Sequence, residues 1–401
     1  MPIPYDQTTL DHLVDRVFTV EAFSLGDEKN RYIARYVGCL RQADSAAAYD
    51  TLAASLQPYD LTPLFRWEGP RQSVVIIPGL RKAKPSNPAV NLLLFGLTLF
   101  SVMLAGAINT YQGPLPADFL GQIGVLIANI WIGWPFALSL LGILVTHEFG
   151  HYLVGRYHHA DVSLPYFLPF PISTLGTMGA FINMKDPPRN RRVLLDIGIA
   201  GPLAGLIVAI PVLLYGLSLS TIDRIPMAAN VPFQIEGNSL LYLLAKFAVF
   251  GQWLPSPANF GGASAGLYWL RYFFTGQPIP LGGVDVMLHP VALAGWAGIL
   301  VTSLNLIPAG QLDGGHLFYV LFGSQRARRT IPFILVALVL LGFAWSGWWL
   351  WAGLIFLLGR VHAQPLDEIT PLDPPRKFLA ALGLVIFFLV FTPVPMIIFG
   401  V

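Results

Sequence analysis

Five stretches of this chain, 89–108, a long run within 119–155, 193–218, 287–307 and 377–399, carry almost no charge. A helix needs about 20 apolar residues to cross roughly 30 Å of hydrocarbon, where lipid satisfies no backbone group. Composition points the same way. Of 401 residues, 24 are Lys or Arg and 22 are Asp or Glu, so 11% are charged and 55% are hydrophobic. Soluble domains run nearer a quarter charged. The expected fold is an α-helical polytopic membrane protein with about six to seven spans, partnered first by the lipid bilayer. Disorder, collagen and a disulfide scaffold are excluded, since the single Cys39 can form no internal bridge. A net charge of +2 gives no reason to expect nucleic acid as a partner.

Two further apolar regions are less regular. Segment 331–359 is interrupted by Ser346 and Gly347, and fits either one tilted span or two half-length helices. Segment 238–254 is shorter and carries Lys246, which suggests an interfacial or re-entrant helix. Residues 1–88 hold much of the charge and read as a small soluble α+β domain. Its opening lacks the apolar core of a signal peptide. Residues 31–40 have strand composition, 45–56 are rich in helix formers, and Glu68-Gly69-Pro70 reads as a hairpin turn. Residues 89–325 and 326–401 then form a membrane core and a set of C-terminal spans. Basic residues fall on one side through the first four spans: Arg81, Lys82 and Lys84, then Arg156, Lys185, Arg189, Arg191 and Arg192, then Arg326, Arg328 and Arg329. That side, with the N-terminus, is expected to be cytoplasmic.

The sharpest local feature is His147-Glu148-Phe149-Gly150-His151, an HExxH motif ending the second span. Residues four apart share one helix face, so both imidazoles can converge on one metal ion. Glu148 is left beside it, free to act on water as a general base. With 8 His and 6 Glu in the chain, a chance match is roughly two in a thousand. Polar residues at a helix end are the bland reading, but three ionisable groups within an apolar run are costly without a task.

Catalytic zinc sites take three protein ligands and keep one position open. The fourth span ends in SLNLIPAGQLDGG, where Pro308 and Gly310 break the helix and Asp313 follows at the same expected depth as HEFGH. HEFGH combined with NLIPAGQLDGG resembles the site-2 protease family of intramembrane zinc metalloproteases, closest to its plastid and bacterial branch. The resemblance implies one zinc ion on His147, His151 and Asp313, with Glu148 as catalytic base. It also implies a membrane-protein substrate cut in or near a transmembrane segment, and placement in a prokaryotic cytoplasmic membrane with the active-site end toward the cytoplasm. No insertion of PDZ size is present.

Between the second and third spans, Gly176–Met184 reads as an extended or hairpin segment returning toward the site, where an edge strand including Gly179 and Phe181 could pair with an unwound substrate. An interfacial loop with aromatic anchors is the competing reading. Asn305 could bond a substrate carbonyl or oxyanion, or simply stitch spans together. Gly201 and Gly205 form a small-xxx-small pair expected to serve helix packing. His158 and His159, beside Arg156, are expected in a solvated loop; His316 is expected near Asp313, and His12, His289 and His362 have no evident partner. The chief alternative function is a divalent-metal transporter, but HEFGH and LDGG have no duplicates of the kind internal repeats produce. A histidine-rich di-iron enzyme needs more clustered histidines than this chain offers.

Overall fold

The computed structural model describes residues 4–26, 32–80, 86–227, 233–359 and 364–400. Arg81, Lys82, Lys84, Arg31 and His362 fall outside the described residues.

In the N-terminal unit, Asp6 opens α1 (Gln7–Asp15) by accepting the Thr9 N–H. After β1 (Phe18–Leu25) and β2 (Ala34–Leu40), Asp44 caps α2 (Ser45–Leu56) in the same way. With β3 (Leu61–Glu68) and β4 (Arg71–Pro78), the strands form one antiparallel sheet ordered β1–β2–β4–β3. The expected hairpin closes on the pair Glu68–Arg71, and Gly69 takes the positive φ its two-residue loop requires. Helix α1 and strand β1 add to the expected elements; a bulge between Val20 and Ala22 breaks the alternation by which β1 could be recognised.

Phe18, Tyr36, Leu52, Phe65 and Ile76 form this unit's core together with Ile369, from far down the chain. Residues 365–370 act as a strap. The Phe65 N–H donates to the Leu366 carbonyl at 2.9 Å, and the Phe65 carbonyl accepts from Glu368 at 3.0 Å. On the strap's other side, Leu366 and Asp367 donate to the carbonyls of Pro188 and Arg189 at 2.9 and 2.8 Å. The strap thus covers the open edge of β3 and fastens the α+β unit to the membrane region. Asp367 is fully buried, its carboxylate accepting from the N–H groups of Ile369 and Thr370.

The membrane region opens with α3 (Pro88–Thr110), α4 (Phe119–Ala128) and α5 (Trp134–Tyr157). The hairpin β5 (Tyr166–Pro169) and β6 (Thr177–Phe181) precedes α6 (Arg191–Ser218). Beyond it lie β7 (Thr221–Arg224), β8 (Phe233–Glu236), α7 (Leu240–Phe250), α8 (Ala265–Thr275) and β9 (Val284–Met287). The chain continues through α9 (Pro290–Asn305), α10 (Asp313–Phe322), α11 (Ser324–Leu341), α12 (Gly347–Leu358), α13 (Pro374–Val390) and β10 (Met396–Phe399). β7 pairs with β9 and β8 with β10, both antiparallel. Leu140, Ile143, Leu144, Leu206, Leu213, Trp296 and Ile299 make the buried centre where α5, α6 and α9 meet.

Among the described residues, three helical stretches are long and apolar enough to cross a membrane: Pro88–Thr110, Ile130–Tyr157 and Arg191–Ser218. Phe119–Ala128, Leu240–Phe250, Pro290–Asn305 and Gly347–Leu357 are shorter apolar helices. Several expected spans differ in their ends. The run within 119–155 divides near Asn129, and Pro135 sits in the first turn of α5, where a missing N–H costs nothing. Region 331–359 divides into α11 and α12. The apolar run 377–399 is not helical throughout: α13 stops at Val390, and Pro393 and Pro395 separate it from strand β10. Lys246, on the short apolar helix α7 of segment 238–254, lies wholly buried beside Asp285.

Candidate metal centre

Helix α5 carries His147, Glu148 and His151 on its buried side, each 5% exposed or less. Asp313 comes from a different element. Helix α9 ends at Asn305, an irregular stretch follows, and α10 begins at Asp313. A Cβ on Gly314 would fall 1.9 Å from the Leu306 carbonyl oxygen, so only glycine lets the turn close this tightly.

The turn delivers Asp313 Oδ2 to 3.4 Å from His147 Nε2 and 3.3 Å from His151 Nε2. The two Nε2 atoms are 3.2 Å apart. One ligand atom from each residue lies within 4.8 Å of the others, a spacing that could hold one metal ion. The donor chemistry fits zinc, which takes imidazole nitrogen and carboxylate oxygen. His151 Nδ1 lies 2.7 Å from the Ile197 carbonyl. Only a protonated nitrogen can donate to that oxygen, which leaves the Nε2 lone pair facing the cluster.

Glu148 lines the same cavity, of about 530 Å³, and its Oε2 has no hydrogen-bond partner among the described residues. A buried carboxylate oxygen without a donor fits a group meant for water or substrate. His316, Asn183 and Asp186 also line this space.

The other predicted residues fall in distinct places. Asn305 lines the cavity with its Nδ2 3.3 Å from His147 Nε2. Phe181 lines it too, from the end of β6. Gly179 has φ 98 and its N–H is bonded to Thr177 Oγ1 at 3.0 Å, so that donor is already used. Within the 176–184 segment Thr177–Phe181 forms the hairpin strand β6, and among the described residues it pairs with β5 alone. Ser101 donates to the Gly176 carbonyl at 2.6 Å, and the Asn91 amide donates to Leu164 and Pro165, so α3 holds the hairpin in place.

Gly201 and Gly205 serve packing, but their neighbours are the two imidazoles. A Cβ on Gly205 would meet His147 Nδ1 at 3.0 Å. His158, in the turn after α5, is half-buried and not fully solvated. It lies 2.9 Å from Asp196, which Arg376 of α13 also binds at 2.8 and 2.6 Å. Proximity to Arg156 suggests solvent; the Asp196 carboxylate on α6 draws the ring against the protein. His289 caps α9, accepting the Val291 N–H.

The sequence profile of peptidase family M50 matches residues 135–344, which include HEFGH and Asp313. The probable zinc metalloprotease EGY1, chloroplastic, of Arabidopsis thaliana is 29% identical over 352 residues, covering 81% of this chain and 58% of that protein. The corresponding EGY2 protein of Oryza sativa subsp. indica is 27% identical over 381 residues, covering 93% and 64%. The chain thus spans less than two thirds of the length of these relatives. Both are named chloroplastic, which lends no support to a prokaryotic cytoplasmic membrane. No solved structure matches.

Proposed function

The chain belongs to peptidase family M50, and on that premise we propose that it is an intramembrane zinc metalloendopeptidase cutting membrane-protein substrates in or near their transmembrane segments. The meeting of Asp313 with His147 and His151 at 3.3–3.4 Å carries this reading. So does the flanking of that meeting point by a donor-free carboxylate oxygen of Glu148.

His147, His151 and Asp313 would hold the zinc. When bound, zinc supplies the Lewis acidity that makes water nucleophilic near neutral pH and polarises the scissile carbonyl. Glu148 takes the proton of the attacking water and passes it to the departing amine. Asn305, at the cavity wall, offers an amide N–H to the substrate carbonyl. A transmembrane substrate hides its peptide bonds in its own helix, so it must unwind first. The edge of β6 that no described strand pairs, reaching the cavity at Phe181, offers the unwound strand a pairing partner. Residues 1–88 form the soluble unit, 89–325 the catalytic core and 326–401 the closing spans, the shorter apolar helices completing about six to seven passes.

The test uses the full chain in bilayers with a single-span substrate. Glu148→Gln should keep one zinc and lower the cleavage rate by roughly 10²–10⁴-fold. Undiminished cleavage in that variant would reject the assigned base.

A further inference from the structure

Beyond the C-terminal end of α6, the described residues hold a second buried group of charges. Lys246 of α7 is 0% exposed, its Nζ 3.4 Å from Asp285 Oδ1 and 4.5 Å above the centre of the Tyr242 ring. Tyr242 donates to Glu236 Oε1 at 2.6 Å. Glu236 and Asp285 are both more than nine-tenths buried. When both carboxylates are ionised, one ammonium leaves one negative charge without a counterpart, an arrangement strongly disfavoured away from water.

One oxygen shows where a partner is missing. Asp285 Oδ2 has no hydrogen-bond partner among the described residues, and Asp285 is more than nine-tenths buried. Glu236 and Asp285 line a cavity of about 310 Å³ bounded by β8 and β9. At roughly 30 Å³ per water, that is room for a partly hydrated ion. The side-chain donors that line it are the carboxylate oxygens of Glu236 and Asp285, the kind that hard cations prefer.

We propose that this cavity binds a monovalent metal cation, held by Asp285 Oδ2 and the Glu236 carboxylate. One positive charge balances the group, where a divalent ion would overcharge it. The cation also joins two sheets that share no strand pairing, β8–β10 and β7–β9. Through them it ties the end of α13 to the end of α6 and the start of α9. The titratable and charged groups gathered here are Glu236 of β8, Asp285 of β9, Lys246 and Tyr242 of α7, and Tyr272 of α8. Burial, then the facing charge of Asp285, push Glu236 up to about 7, so the site is open to a cation above neutral pH.

The test is thermal unfolding of the full-length protein in detergent at pH 8, in sodium, potassium or N-methyl-D-glucamine chloride at equal ionic strength. Sodium or potassium should raise the midpoint saturably by at least about 2 °C over the organic cation. Glu236→Gln keeps the side-chain size and an acceptor for Tyr242, and should fold yet lose the difference. Asp285→Asn should lose it too, although removing the partner of Lys246 can unfold the chain, so Glu236→Gln decides. Equal midpoints in the three salts overturn the proposal. So does an undiminished difference in Glu236→Gln. A midpoint that follows pH but not cation identity shows a site for protons only, and equally overturns it.

Discussion

A Cβ placed on Gly201 would lie 2.0 Å from Nε2 of His151, the nitrogen that faces the metal cluster. The third membrane helix is therefore a mould for the imidazole as well as a packing partner.

Gly201→Ala should consequently displace the His151 ring and lower zinc affinity by about 10–100-fold, the range seen when a ligand's supports are disturbed. Gly205→Ala, whose Cβ would meet His147 Nδ1 at 3.0 Å, should cost less. Zinc titration of the two purified variants ranks them; equal affinities would contradict the difference in clearance.

Metal removal is expected to affect the fold as well as the reaction. Asp313 faces two imidazoles at 3.3–3.4 Å, and a bound cation draws the three ligands together. Chelation should abolish cleavage and lower the unfolding midpoint by a few degrees, with zinc restoring both. Asp313→Ala should show no midpoint response to either treatment.

The strap is testable apart from the chemistry. Asp367 satisfies two N–H groups of the turn 367–370. Asp367→Ala leaves those donors buried and should destabilise the joint by about 1–3 kcal/mol. Amide exchange should then quicken along β3 and the strap while the α5–α6 core stays protected. Uniform exchange throughout the molecule would show that the joint is no separate unit.

Glu236 sets a pH dependence of definite sign. Its folded value of about 7 lies above the ordinary 4.5, so the native state holds the proton more tightly than the unfolded chain. Its contribution is complete below pH 4.5 and is lost as pH rises through 7, on the order of 3 kcal/mol at most. In a buffer free of metal cations, wild type should lose stability relative to Glu236→Gln across that window. Parallel stability curves would refute the assignment.

Much of the site was legible because its signals are local. His147, Glu148 and His151 are joined by helical spacing, and the Pro308-to-Gly315 stretch announces a broken helix before an acid. The glycine pair at 201 and 205 was also recognisable as a packing motif. Its target was not, because which side chain a helix meets across an interface is written in tertiary packing alone. His158 shows the same limit: its partner Asp196 comes from α6, and Arg376, which shares that carboxylate, from α13. The helix ends were misjudged at 377–399 because apolar content outweighed two prolines, whose missing N–H groups and ring geometry decide the matter.

The strap also sets a timetable for synthesis. Arg66 donates to carbonyls of Pro365 and Leu366, partners up to 300 residues apart. At about 5–20 residues per second, the α+β unit waits roughly 15–60 s for its strap. During that interval the outer edge of β3 is an open invitation to other chains. Cover of that edge on the nascent chain would keep it from pairing elsewhere until the strap arrives.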